Sequence, residues 1–218
     1  MTTNLTFNPD STPVGCSAAS IVVLKTVRQQ LSDRLARGEP FWVFAYASLL
    51  WRPQFDPADI RPARIWGFHR ALRMRSRVNR GTPDCPGLVF ALLPGGSCQG
   101  QVHQVREGQA LHELDDLWAR EMPNGVYTPR WLRCHTPGGP VEALAFTLDP
   151  ANPSHTGALD DPALVSIFRD AEGRFGRTVD YLHRTAEQLQ ALSIRDAEVS
   201  RLVRLAQRHG LLPGEDGA

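Results

Sequence analysis

The sequence predicts a largely antiparallel α+β domain whose small sheet can close on itself. Three observations carry this. Two apolar stretches are each broken by a glycine-rich turn, "PGGS" at 94–97 and "TPGG" at 136–139, and read as hairpins. The stretch from Leu72 to Val78 alternates Leu72, Met74, Ser76 and Val78 with Arg73, Arg75 and Arg77, the pattern of a half-buried strand with a basic outer face. Apolar residues recur at helical spacing near the start, in the middle and at the end of the chain. The resulting order is α-β-β-β-β-α-β-β-α-α with room for a further helix, which is about six strands.

Taken in order, residues 1–20 are rich in Thr, Ser, Asn and Pro and read as a flexible leader. Residues 21–210 read as a single domain and 211–218 as a tail. From Ile21, the apolar positions Val23, Val27, Leu31 and Leu35 predict a helix stopped by Gly38 and Pro40. Phe41 to Tyr46 predicts a buried strand, followed by a loop containing Pro53, Pro57 and Pro62. A strand over 64–78 follows, then the "PGGS" hairpin within 86–105, a helix over Gln109–Glu121 and the "TPGG" hairpin within 126–149. After residue 160 the chain reads as helical to about His209, with Asp161-Pro162 and Asp196 as helix starts.

Composition narrows the function. The chain has 218 residues, 42% hydrophobic and 22% charged, with a net charge of +1, so no global field draws it to nucleic acid or an anionic membrane. No apolar run approaches the roughly 18 residues of a membrane span. The N-terminal stretch lacks the basic-then-apolar pattern of a secretory signal. The four cysteines have no metal-type spacing, which points to reduced thiols inside the cell. Ser48 sits in no nucleophile elbow, and Cys134 and His135 are strand neighbours facing opposite ways, which argues against a Ser or Cys hydrolase. No P-loop, dinucleotide fingerprint or zinc-protease motif is present.

The central helix holds the chemical clue. With ~100° per residue, Ala110, Leu111, Leu114, Leu117 and Trp118 form one stripe, and Glu121 falls near its middle. A carboxylate on the face a helix buries has its charged form disfavoured, and the negative end of the helix dipole adds to this. Both effects make it a better base. Two other readings stand beside this one. The helix can end early and release Glu121 to solvent, or Arg120, Arg130 or Arg133 can pair with it structurally. The second clue is "FWVFAYASLLW" (41–51), an apolar strand that finishes in Tyr46, Ala47, Ser48 and Leu49. Backbone amides freed at a strand end can cradle an anion.

Four segments together resemble the ChaC-type γ-glutamylcyclotransferases, the glutathione-specific branch of that family. "VFAYASLLWRP" resembles the family's VFGYGSLIW-P motif. "RGTPDCPGLVFALLPGGSCQG" resembles its RGT-x-x-x-PG segment with a following Gly-rich turn and C-x-G. "LWAREMPNGVY" resembles the W-x-x-RE-x-x-x-GxY segment with the catalytic glutamate, and "VDYLHRTAEQL" its C-terminal helix. The resemblance covers about Trp42 to His209. It implies a small, mostly antiparallel β-barrel with surrounding helices, and a cytoplasmic enzyme that needs no cofactor and no metal. The implied reaction cleaves glutathione to 5-oxoproline and cysteinylglycine. Glu121 is then the catalytic base, with Tyr46, Ala47, Ser48, Leu49 and Tyr127 contacting a small-molecule substrate. Other γ-glutamyl amines or dipeptides, and a non-catalytic γ-glutamyl binder, stay open as alternatives. Nucleic acid and membrane are not implied partners, and the oligomeric state is left open. Ala45 and Ala47 stand where the family has glycine, and Asp180 where it has Asn. Alanine at 47 costs about 1–2 kcal/mol if its φ is positive and nothing of that kind if φ is negative.

Overall fold

The computed structural model describes residues 17–214. Residues 1–16 of the expected leader and 215–218 of the expected tail therefore lie outside the described residues. The path runs α1 (Ala18–Ala36), β1 (Trp42–Ala45), α2 (Ser48–Trp51), β2 (Asp59–Ser76), β3 (Gly87–Gln104) and α3 (Ala110–Glu121). It continues with β4 (Thr128–Thr136), β5 (Gly139–Thr147), α4 (Asp161–Asp170), β6 (Glu172–Gly173), β7 (Gly176–Arg177), α5 (Thr178–Ala191) and α6 (Ala197–Arg208).

Five strands close a barrel in the order β1-β3-β2-β4-β5. All neighbours are antiparallel except at the closure, where Trp42 and Val43 of β1 run parallel to Ala143 and Leu144 of β5, and at one parallel pairing of Leu92 with Thr147. The two strands expected on either side of "PGGS" are one strand, β3, so the barrel has five strands and not six. "PGGS" is not a hairpin turn but an irregularity inside β3, because both of its flanks already pair with β2. Straight, 18 residues of strand would extend roughly 60 Å, too far for one small barrel, so the β2–β3 ribbon has to bend. It does so where Trp66 pairs with Ser97 and Phe68 with Pro94, leaving Gly67 opposite Gly95 and Gly96. All three glycines have positive φ, a region L-residues avoid. A second register shift lies between Ala71 and Met74. The "TPGG" hairpin forms as expected, with Thr136 paired to Gly139.

The first helix begins at Ala18, three residues before Ile21, and its buried positions are Ser20, Leu24, Val27 and Leu31. Val23 and Leu35 are 39% and 37% exposed. A strict four-residue spacing drifts by about 40° per step, so a stripe has to alternate threes with fours. Ser20 opens this stripe for a structural reason. Its hydroxyl donates to the Met122 carbonyl (2.7 Å) and accepts from Trp118 Nε1 (2.8 Å), which pins α1 to the C-terminal end of α3. Leu114, Leu117 and Trp118 of α3 are fully buried, as the wheel predicts.

At the C-terminal end, Asp196 caps α6 as expected, while α4 is capped by Asp160, one residue before the expected start. The two-residue strands β6 and β7 are too short for any periodic signal. Asp180, where the family pattern has Asn, accepts from the Arg177 amide (3.4 Å) in the first turn of α5, a role open to either side chain.

Candidate active site

β1 ends at Ala45, and the chain turns through Tyr46 and Ala47 into the short helix α2. Ala47 has φ −144°, so the alanine is not forced into the left-handed region. The first-turn amides of a helix have no intrahelical acceptor, which leaves the Ser48 and Leu49 N–H groups available at this bend. Across from it, α3 terminates on Glu121.

The bend and Glu121 share one pocket. Tyr46, Ala47, Ser48, Leu49, Glu121 and Tyr127, the six residues singled out from the sequence, all line it, together with Phe90, Phe146 and Tyr181. The whole chain contains three tyrosines, and every one of them faces this pocket. Tyr46 donates to the Phe146 carbonyl (3.1 Å), and Tyr127 shares the pocket with it. The Tyr181 hydroxyl accepts from the Phe90 amide (3.2 Å), which seats α5 against β3. Burial pushes the hydroxyls of Tyr46, Tyr127 and Tyr181 above the usual phenol range, and the Glu121 charge adds to this. All three remain donors at neutral pH.

The side chain of Glu121 is 15% exposed and points into this group rather than into bulk solvent. Burial raises its pKa above the ordinary carboxylate value, and the attraction of Arg120 only partly offsets that rise. Of the three arginines that might have paired with it, Arg120 does so, Nε to Oε1 at 3.2 Å. Arg130 and Arg133 are exposed. Arg120 was not singled out as a site residue from the sequence. Its guanidinium also donates to the Ser48 hydroxyl (3.2 Å) and the Arg52 carbonyl (2.8 Å), so it ties the catalytic candidate to the bend. Because Ser48 accepts from Arg120, its own proton is free to point into the pocket.

Arg73, Arg75 and Arg77 do not line the pocket: Arg75 and Arg77 are exposed and Arg73 is half-buried. Tyr181, Phe90 and Phe146 were missed. Tyr181 is the only tyrosine in the helical C-terminal third, inside the segment already noted for its resemblance, and that rarity was the available signal. Phe90 and Phe146 look like any other apolar strand residue.

A five-strand barrel flanked by helices, with one pocket at the end of β1, defines the γ-glutamylcyclotransferase fold. The solved yeast γ-glutamylcyclotransferase specific to glutathione shares it with a TM-score of 0.70, covering 78% of this chain and 97% of that one at 20% identity. The model of the family of ChaC-like proteins matches residues 41–209, and this chain belongs to that family. Among curated relatives, the glutathione-specific γ-glutamylcyclotransferase of Escherichia coli (strain K12) is 31% identical over 165 residues, 75% of this chain and 71% of that protein. The glutathione-specific γ-glutamylcyclotransferase 1 of Homo sapiens is 31% identical over 160 residues, covering 70% and 72% of the two chains.

Proposed function

We propose that this chain is a glutathione-specific γ-glutamylcyclotransferase, with Glu121 as the group that moves the proton. The observation that carries the reading is the placement of Glu121: a shielded carboxylate, its basicity raised by burial, in one pocket with the 46–49 bend. The names of the E. coli and human relatives support glutathione as the substrate.

The reaction is an internal aminolysis. Glutathione's γ-glutamyl group carries an α-ammonium and a γ-carbonyl in one molecule, so a pocket that holds the folded-back conformer already gains much of the rate. Glu121 accepts a proton from the α-ammonium. The freed amine attacks the γ-carbonyl carbon, and a new C–N bond closes the five-membered lactam as the carbonyl oxygen takes on negative charge. Protonated Glu121 gives its proton to the cysteine nitrogen as that bond breaks, and the carboxylate so restored takes the second proton from the ring nitrogen and passes it to the departing amine, which leaves as an ammonium. The products are 5-oxoproline and cysteinylglycine, with no proton gained or lost overall.

The bend amides from Ala47 to Leu49 hold the substrate's α-carboxylate, and the Ser48 hydroxyl is a further donor there. Tyr127, whose side chain lines the same pocket, is the donor for the growing oxyanion. Because these residues carry all of the proton traffic, the reaction as written requires no cofactor. Cys85, Cys98 and Cys134 are free thiols, in keeping with a reducing, cytoplasmic setting for the enzyme.

Incubation with glutathione, γ-Glu-Cys and γ-Glu-Ala, scoring free 5-oxoproline by mass spectrometry, tests the proposal. Release from glutathione well ahead of the two dipeptides is the expected result. Equal or faster release from γ-Glu-Ala would move the chain to other γ-glutamyl amines, and no release from any of them would reject the activity. Because Ala47 has a negative φ, Ala47→Gly should leave KM for glutathione within about threefold of the parent. A collapse in binding on that change would mean that the alanine methyl contacts the substrate.

A further inference from the structure

Arg73, Arg75 and Arg77 were expected on an outer face, and Arg75 and, just past the end of β2, Arg77 are exposed. Arg70, on the same strand, faces inward, with a side chain only 1% exposed. Its guanidinium reaches three separate segments. Nε donates to the Tyr46 carbonyl (2.5 Å), Nη2 to the Gln99 carbonyl of β3 (2.5 Å), and Nη1 to Asp196 Oδ2. Asp196 uses its other oxygen to accept the Val199 amide (3.1 Å) as the N-cap of α6. Burying a guanidinium is costly unless it is paired and hydrogen-bonded. The proton transfers described above make no use of it.

We propose that Arg70 and Asp196 form a positioning clasp for the substrate-binding bend, holding the Tyr46 carbonyl so that the Ala47 amide is aimed at the substrate's α-carboxylate. The link is the peptide plane. The Tyr46–Ala47 peptide is trans, so the carbonyl of Tyr46 and the N–H of Ala47 point in opposite directions. Fixing the first fixes the second. A single donor would hold the carbonyl but leave the plane able to rock. A planar fork that is itself held by Gln99 and Asp196 removes that freedom. Neither residue touches the pocket, so both act through the bend. The clasp rests on the glutathione reading and adds to it a cause for the bend's geometry.

Asp196→Asn separates the clasp from the cap. Asparagine caps a helix as well as aspartate does, but it places an uncharged amide beside Arg70. Losing an aimed amide weakens ground-state binding, so KM for glutathione should rise on the order of tenfold, with kcat within about threefold of the parent. A merely structural role also predicts a lower Tm, but it leaves KM of the folded enzyme, assayed well below its Tm, unchanged. Leu202→Ala, which trims the buried face of α6, is the control: a lower Tm at the parental KM. Arg70→Lys keeps the charge without the fork and should repeat the KM increase if Asp196→Asn does not fold. Parental KM in the folded clasp variants, or an equal KM increase in Leu202→Ala, would overturn the clasp. A parent chain that releases no 5-oxoproline would overturn the glutathione reading itself, and the clasp with it.

Discussion

Replacing Glu121 by Gln should leave a folded protein whose 5-oxoproline release falls by about 10²- to 10⁴-fold, the usual worth of a positioned acid–base group. Glutamine matches glutamate in size and keeps an acceptor oxygen for Arg120, which now sits 3.2 Å from Glu121 Oε1. What it lacks is a lone pair basic enough to take the ammonium proton. Stability should move the other way. Burial raises the folded-state pKa of Glu121 above its unfolded value, so the native protein holds the protonated form more readily. The stability this contributes is fully present below the unfolded value of about 4.3 and is lost as pH rises through the folded pKa. At neutral pH the parent therefore carries a disfavoured charge that the glutamine variant does not. Glu121→Gln should melt at or above the parent at pH 7, with the difference vanishing in acid. Activity within about threefold of the parent in the folded variant would remove Glu121 from the chemistry.

The second large effect is expected at a residue that has no side chain at all. Gly100 lies on β3, opposite Ala63 of β2 and beside the end of β1. A Cβ built there would stand 2.2 Å from the Ala45 carbonyl oxygen and 3.1 Å from the Phe44 ring. The first obstacle is backbone in a paired strand, so it has little room to yield, and Ala45 immediately precedes the 46–49 bend that lines the pocket. Gly100→Ala should cost about 3 kcal/mol as an overpacked core position, which is roughly 6–12 °C in Tm for a chain of this size. It should also reduce turnover of glutathione, because the displaced segment carries Tyr46 and Ala47. Gly138→Ala is the comparison. Its Cβ would meet nothing closer than 3.5 Å, and the position is exposed, so Tm should hold within a degree or two. Equal melting of the two variants would show that the β1–β3 approach is looser than drawn.

What could be read from the sequence followed how local the information was. The burial stripe of α3 and the inward position of Glu121 depend on spacing within twelve residues, and both were legible. So was the β4–β5 hairpin, whose partner strand is its immediate neighbour. "PGGS" misled for the opposite reason: its flanks pair with β2, up to 45 residues away (Asp59 with Gln104), and no local pattern announces that partner. Arg70 shows the same limit. It has the parity of the inward set Leu72, Met74 and Ser76, yet the partners that allow a guanidinium to be buried there, Asp196 among them, lie as far as 126 residues along the chain. Arg120 was considered only as a structural partner for Glu121, because its second tie, to Ser48, spans 72 residues. Resemblance supplied what periodicity could not. It joined the 46–49 bend, Glu121 and the "VDYLHRTAEQL" segment in one protein, and the pocket brings Tyr46, Glu121 and Tyr181 together in space.

The most direct test is a ¹³C NMR titration of the Glu121 side-chain carboxyl, assigned by its loss in Glu121→Gln. A midpoint clearly above the ordinary value of about 4.3 is predicted, because shielding from water outweighs the pull of Arg120. A midpoint at or below that value would mean a solvated or ion-paired carboxylate, and the residue would then be an anchor for Arg120 rather than the base of this pocket.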